Sequence, residues 1–527
     1  MAEPTNTTQT AAAGTASRSL LDQILDEGKL VRLPKEAPER KDAVDGAIKL
    51  LRAYVDRLTA QPEEAKDKRA AIEVLQEQIK KIDETMSQAV SEILHDENFR
   101  TLEASWRGLR YLVFNTETST RLKLRLLNIR KDTLKKDLSQ AIDKDQSVLF
   151  KKVYEEEYGT YGGNPFSFLV GDIYFTRSPE DIELLRNISS VAAAAHTPFI
   201  AAAHPDLFGM EDFTVLGNPR DMAKIFESSE LIPWRSFRES EDSRYVTLTL
   251  PHYLLRLPYG DKTIKSDKFG MQESVDDMTV PAAIVPADGN GSGKTKELPR
   301  PKDHRKYLWG NAAYALAQRI TNAFASYGWC AAIRGPEGGG KVTSLPAHIF
   351  DTQEGDKALK CPTEVSITDR REKELDNLGF VSLVHCKGTD YAAFFGGQTV
   401  HKPPVFDTDA ANANALISAR LPYLLAASRF AHYLKVICRD KIGSFQTKDT
   451  MALFLNRWIM TYVLGTDDAG QELKAQYPLR DARIDVFDVP GKPGAYRAVC
   501  FLRPHFQLEE LTTSIRLVAE LPAPAAA

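Results

Sequence analysis

Between Ser167 and Ala203 the chain spells out a strand, a helix and a second strand in close succession, and few architectures accept that order. SFLVGDIYF (167–175) is a largely apolar run of strand length. Ser178-Pro179-Glu180-Asp181 then supplies an N-cap hydroxyl, a proline at the first helical position and acids in the first turn. A helix is predicted from there to about Ala195, and PFIAAA (198–203) reads as the next buried strand. Strands joined by a helical crossover pair in parallel, whereas antiparallel neighbours need only a tight turn. The fold class expected is therefore α/β, in a mixed α+β chain, with a parallel pair of strands joined by a helical crossover.

The flanks differ in character. Residues 1–17 are small and polar, with almost nothing to bury, and are expected to be disordered. KLVRLP (29–34) is an isolated extended hexamer that must find its backbone partners elsewhere, within this chain or in another. Residues 35–100 hold 12 Lys/Arg and 15 Asp/Glu, and their apolar positions recur at three and four (Leu51, Val55, Leu58, then Leu75, Ile79, Ile82, Met86, Ile93). That is the pattern of two amphipathic helices broken near Gln61-Pro62, packed on a domain or presented to a partner. RLKLRLLNI (121–129) alternates as a half-buried strand does, and Trp329 to Ile333 reads as another strand. Residues 261–305 read as a long exposed loop or domain junction, and helices are expected over 307–327 and 410–440. At the end, RIDVFDV (483–489), Pro490-Gly491-Lys492-Pro493-Gly494 and AYRAVCFLRP (495–504) form a hairpin candidate, followed by a last strand, SIRLVAEL (514–521).

Charge and cysteine use exclude several functions. The 68 Lys/Arg against 72 Asp/Glu leave a net charge of −4, without the basic excess of a nucleic-acid binder. Five scattered cysteines with no C-x-x-C pair suit reduced thiols in a cytosolic protein. The N-terminus has no secretory pattern, and no apolar stretch reaches membrane-helix length.

Two Gly-Lys loops resemble phosphate-binding loops and fail on their chemistry. Gly335 to Lys341 has the G-x-x-x-x-G-K spacing, but Val342 follows where a Ser/Thr hydroxyl should hold the metal, and Pro346 interrupts the helix that should follow. Gly291-Ser292-Gly293-Lys294-Thr295 lacks the first glycine, the strand before and the helix after. His385-Cys386 are neighbours whose side chains would point to opposite faces of a strand. The charged run Arg238 to Arg244 reads as a solvated or salt-bridged face. No constellation supports catalysis, a cofactor or a metal.

Longer motifs carry a resemblance. FRTLEASWRGLRYLV (99–113), FRESEDSRYVTLTLP (237–251), KYLWGNAAYALAQRI (306–320), YGWCAAIRGPEGGG (327–340), RLPYLLAASRFAHYLKVICRDKIGSF (420–445) and YRAVCFLRPHFQLEELTTSIRLVAELP (496–522) together resemble the large sheath subunit of type VI secretion systems, the TssC/VipB (EvpB-like) family. The resemblance implies a non-enzymatic machine part. It would pair with a small subunit (TssB/VipA) and stack with copies of itself around a tube of Hcp on a baseplate. On contraction it would propel that tube, before disassembly by the ClpV ATPase, mainly through the small subunit. It implies no cofactor, no nucleic acid and no direct membrane insertion. The alternatives are a sheath from another contractile injection system and, in a different class, a nucleotide-dependent α/β enzyme.

On this reading the chain divides into an arm with an exchange strand (1–34), a charged helical region (35–115), a central α/β sheath domain (116–300), a second α/β half rich in long helices (301–482) and C-terminal strands of an inter-subunit sheet (483–527). The candidate residues for strand exchange between subunits are Leu30, Val31 and Leu33, then Ile484, Val486, Tyr496, Val499, Phe501, Ile515 and Leu517.

Overall fold

A computed structural model describes residues 68–507 except 282–283, 287–294, 445–446, 467, 492–494 and 506, together with residues 45, 46, 48, 49 and 53. The expected strands 29–34 and 514–521, with Leu30, Val31, Leu33, Ile515 and Leu517, lie outside the described residues. The chain is a mixed α+β protein that divides into two compact units. One comprises Met1–Thr101, Arg256–Tyr307 and Asp351–Ala358, and the other Leu102–Leu255, Leu308–Phe350 and Leu359–Ala527.

The larger unit is organised by a six-stranded sheet. Its strands are β1 (Leu169–Phe175), β2 (Phe199–Ala203), β3 (Val246–Leu250), β4 (Lys341–Val342), β5 (Phe380–His385) and β6 (Ala392–Phe394), in the spatial order β1-β2-β3-β5-β6-β4. The first four strands in that order are parallel, and β6 and β4 add antiparallel at one edge. The predicted crossover is the helix Pro179–Ala195. Ser178 Oγ accepts the Asp181 amide, Pro179 opens the first turn, and His196 closes the helix in the left-handed region at φ 51°.

Alternate residues of each strand enter different cores. Phe199, Ala201, Val246, Leu248 and Phe380 face the layer containing the crossover helix, while Ile200, Val381 and Leu383 face the helix Ala312–Tyr327. Covering both faces is what makes these strands read as uniformly apolar. Gly108, in the helix Glu97–Phe114, is where that helix meets Tyr314. A Cβ there would fall 2.5 Å from the tyrosine ring, so only glycine permits this approach. The Trp-Arg-Gly-Leu motif thus divides its labour, since Gly108 is buried while Trp106 is 63% exposed.

Several expectations are corrected. Residues 121–129 form no strand, and Leu126 and Leu127 lie exposed, because among the described residues no strand pairs with this alternating stretch. Trp329 to Ile333 is irregular too, and Trp329 stacks on Phe430 at 4.4 Å as part of an aromatic core. The expected helix 410–440 is two, Asp409–Ser418 and Leu421–Asp440, separated at Ala419–Arg420, because Pro422 has no N–H to bond back to the Ser418 carbonyl and its ring clashes there, whereas it fits the first turn of a new helix. Gly335 and Gly339 hold positive φ, and the amides of Gly335 and Gly340 are bonded to Phe394 O and Gly335 O, so this loop is a closed turn. In the charged run, Arg238 is buried and donates from Nε to Val400 O at 2.9 Å, which departs from a wholly solvated face. Burial pushes its guanidinium down to about 10.

In the smaller unit, residues 261–305 are not an exposed loop throughout. Met271, Glu273 and Val275 are buried, and Ile284–Pro286 pairs antiparallel with Thr295–Glu297. The helix Lys68–His95 pins this stretch. Asp83 Oδ2 accepts Gly270 N at 3.1 Å, Ser87 Oγ accepts Gln272 N at 3.1 Å, and His95 Nε2 lies 3.2 Å from Glu273 Oε1.

Candidate assembly interface

The C-terminal hairpin consists of β7 (Leu479–Asp488) and β8 (Tyr496–Pro504), paired antiparallel with Ile484 opposite Cys500. β7 begins four residues before the sequence prediction. Leu479, Ala482, Ile484 and Val486 point inward, onto the helices Leu421–Asp440 and Lys448–Ile459. An aromatic cluster of Trp329, Phe430, Trp458 and Tyr462 supports that layer, with Trp329–Tyr462 centroids 5.3 Å apart and Trp458–Tyr462 centroids 5.5 Å apart. The other face is wet and partly apolar. Phe501 is 51% exposed beneath the Arg483 guanidinium, which lies 4.9 Å from its ring centroid, and Phe487, further along β7, is exposed as well.

The two edges of this hairpin are unlike. On the β7 edge, Asn456 Oδ1 accepts the Ile484 N–H at 2.9 Å, and Asn456 Nδ2 donates to the Ile484 carbonyl at 2.7 Å. Further along, Leu464 N donates to Leu479 O at 2.8 Å. Because both main-chain groups of Ile484 turn away from β8, the Ile484–Cys500 pair is of the kind that exchanges no ladder bonds. By the same alternation, the N–H and C=O groups of Tyr496, Ala498, Cys500 and Leu502 point outward from β8. Among the described residues no strand pairs with that outer edge. An edge of unpaired main-chain groups is a template for an added strand.

The hairpin gathers five of the ten candidate residues. Ile484 and Val486 are buried on its inner face, Val499 and Phe501 lie on the outer face, and Tyr496 is 38% exposed at the end of the open edge. Sequence reasoning missed Asn456. A lone asparagine within a helix, distant in sequence from the strand it seals, carries no readable signal.

A second surface lies in the smaller unit. Ile79, Ile82, Met86 and Ile93 recur at heptad spacing on the helix Lys68–His95 and are all exposed, Ile82 by 57%. A stripe of that width is the seam a second helix packs on.

Comparison with known proteins decides the family. Residues 76–401 match the VipB model described as EvpB/VC_A0108, tail sheath N-terminal domain, and residues 410–521 match its companion, the tail sheath gpW/gp25-like domain. The chain belongs to the VipB tail-sheath family. It is 49% identical over 456 residues to the type VI secretion system sheath protein TssC1 of Pseudomonas aeruginosa (strain PAO1), covering 86% of this chain and 87% of that one. Among solved structures, the anti-feeding prophage baseplate matches with a TM-score of 0.33 at 9% identity over 64% of this chain and 66% of that one. A sheath complex of an extracellular contractile injection system in its contracted state matches with a TM-score of 0.31 at 8% identity over 63% of this chain and 68% of that one.

This VipB-family chain is a structural component of a contractile type VI sheath, a polymer of such subunits. Among its described residues no helix is long and apolar enough to cross a membrane.

Proposed function

We propose that this sheath subunit forms an obligate heterodimer with the small sheath subunit (TssB/VipA). These heterodimers stack in a helical polymer around an Hcp tube on a baseplate. Contraction is then a transition between two packings of rigid bodies, held in register by strands exchanged between neighbours. The open outer edge of β8 is the observation that carries this reading, because it offers main-chain hydrogen bonds to a strand from another subunit without demanding much sequence. Residues 1–34 with Leu30, Val31 and Leu33, and the last strand with Ile515 and Leu517, are the exchange segments of this chain. The apolar seam at Ile79, Ile82, Met86 and Ile93 takes a helix of the small subunit.

The protein acts in the cytoplasm as a mechanical part, without catalysis, cofactor, nucleic acid or membrane insertion of its own. The spent sheath is dismantled by ClpV, mainly through the small subunit. Co-expression with the small subunit and negative-stain electron microscopy tests this. Hollow tubules with a cogged cross-section, lost when residues 1–34 are deleted, are expected. A soluble particle that never polymerises would sink the proposal.

A further inference from the structure

A nine-residue π-helix, Lys151–Gly159, runs beside the C-terminal half of the helix Leu421–Asp440 in the larger unit, and a cleft of about 70 Å³ opens between them. π-helical turns are rare and concentrate at functional sites. Here the π-helix sets the rings of Tyr154 and Tyr158 under Lys435, whose Nζ lies 4.9 Å and 3.4 Å from their centroids. Arg439 reaches the same cleft, donating to Thr160 O at 2.8 Å and Tyr158 O at 2.9 Å. Among the described residues neither cation has a carboxylate partner, and nor does Arg429 one turn before. Of the two carboxylates lining the cleft, Glu157 is engaged by Arg125 and by the Asn164 amide, and Asp440 is exposed to solvent.

One wall is His432, only 2% exposed. Its Nε2 lies 2.9 Å from Ala195 O. A carbonyl only accepts, so Nε2 carries the proton and Nδ1 presents a lone pair. Among the described residues the buried Nδ1 has no hydrogen-bond partner. Burial, with the Arg429 charge beside it, lowers the imidazole to about 4, so it stays neutral near pH 7. The cleft therefore asks for an anion that also carries a hydroxyl proton, with oxygens for Lys435 and Arg439 and the O–H for His432. The cleft has room for a small polyatomic anion.

We propose that the cleft bounded by Tyr158, His432, Lys435 and Arg439 is a binding site for inorganic phosphate in its protonated forms. Sulfate, fully ionised near neutrality, lacks the proton that His432 accepts. Phosphodiesters lack it too, which sets this site apart from one for nucleic acid or phospholipid. The inference does not depend on how the sheath assembles.

The test is calorimetric titration of the full chain with phosphate and, separately, sulfate, in chloride buffer at pH 7 and constant ionic strength. Saturable binding of phosphate at a single site is expected, with sulfate weaker by at least about tenfold. Lys435→Met keeps the apolar stem on Tyr158 and is expected to weaken phosphate binding by about tenfold or more. Val436→Glu, at an exposed position on the cleft wall, is expected to do the same without disturbing the fold, checked by circular dichroism. Phosphate heats that do not saturate, sulfate binding as tight as phosphate, or two folded variants that bind like the parent would each overturn the proposal.

Discussion

Asn456 holds both main-chain groups of Ile484, accepting its N–H at 2.9 Å and donating to its carbonyl at 2.7 Å, and so stands in for a neighbouring strand on the β7 edge. A third bond, from Nδ2 to Ala452 O at 2.8 Å, fixes the amide on its own helix. Asn456→Ala leaves the Ile484 groups unpaired beside a packed core. The expected cost is about 1–3 kcal/mol, read as a lower urea midpoint. Asn456→Asp keeps the acceptor but turns a carboxylate oxygen toward the Ile484 carbonyl, and is expected to cost at least as much. If Asn456→Ala unfolds at the parent midpoint, the amide is not sealing the edge.

The alternation of the hairpin ladder makes a sharper test of strand exchange. Ala498 turns its N–H outward from β8, whereas Val499, opposite Asp485, turns its N–H toward β7. Ala498→Pro therefore deletes an outward donor and no ladder bond, and proline is tolerated on such an edge. Val499→Pro removes a bond from within the hairpin. Ala498→Pro is expected to keep the circular dichroism and melting behaviour of the parent yet fail to form tubules with the small subunit. Val499→Pro is expected to lose both. Normal tubules from Ala498→Pro would place the added strand elsewhere.

What the sequence made legible follows the range of the forces involved. The β1–helix–β2 unit was readable because its signals are local: the Ser178 cap, Pro179 at the first turn, and strands apolar on both faces. The hairpin was readable from its Pro-Gly-rich turn, though β7 starts earlier, at Leu479, where Leu464 pairs with it. Residues 121–129 misled because alternation records a face to bury and not the presence of a strand to pair with. The break before Leu421 was available in Pro422, but the apolar periodicity on either side obscured it. At the interface, the hairpin residues were visible as apolar alternation. Asn456 was not, because its role exists only once helix and strand are side by side.

Gly108 tests whether the Trp-Arg-Gly-Leu motif is a packing device. A methyl group there would sit 2.5 Å from Tyr314 Cδ2 and 2.7 Å from Cε2. The ring is buried against Leu112 and Ala317 and has little room to move. Gly108→Ala gains helix propensity of up to about 1 kcal/mol, but overpacking costs about 1–3 kcal/mol. The net result expected is a lower Tm. The double variant Gly108→Ala/Tyr314→Leu should recover part of the loss, since it removes the clashing atoms. A Gly108→Ala protein as stable as the parent would show that the two helices slide apart freely.

Glu273 should make the smaller unit sensitive to acid. Its carboxylate is almost fully buried, and Arg256 meets it twice, Nη1 to Oε2 at 2.6 Å and Nη2 to Oε1 at 3.2 Å. The Tyr259 amide donates to Oε2 at 2.9 Å, and His95 approaches Oε1. Burial alone would raise this carboxyl, but the hydrogen bonds from His95 and Arg256, the Arg256 charge and the Tyr259 amide outweigh it and hold it at about 2, against an ordinary 4.5. A carboxyl depressed in the folded state stabilises above its unfolded value, and that stabilisation disappears as pH falls toward the folded one. The difference corresponds to about 3 kcal/mol, present at pH 7 and lost progressively between about pH 4.5 and 2. Hydrogen exchange along the helix Lys68–His95 should therefore accelerate across this window. Glu273→Gln is expected to exchange faster at pH 7, because the buried Arg256 loses the carboxylate that meets it twice. Its exchange, corrected for the intrinsic pH dependence, should then stay flat where the parent rises. A parent whose corrected exchange is also flat would show that the ion pair does not hold the helix in place.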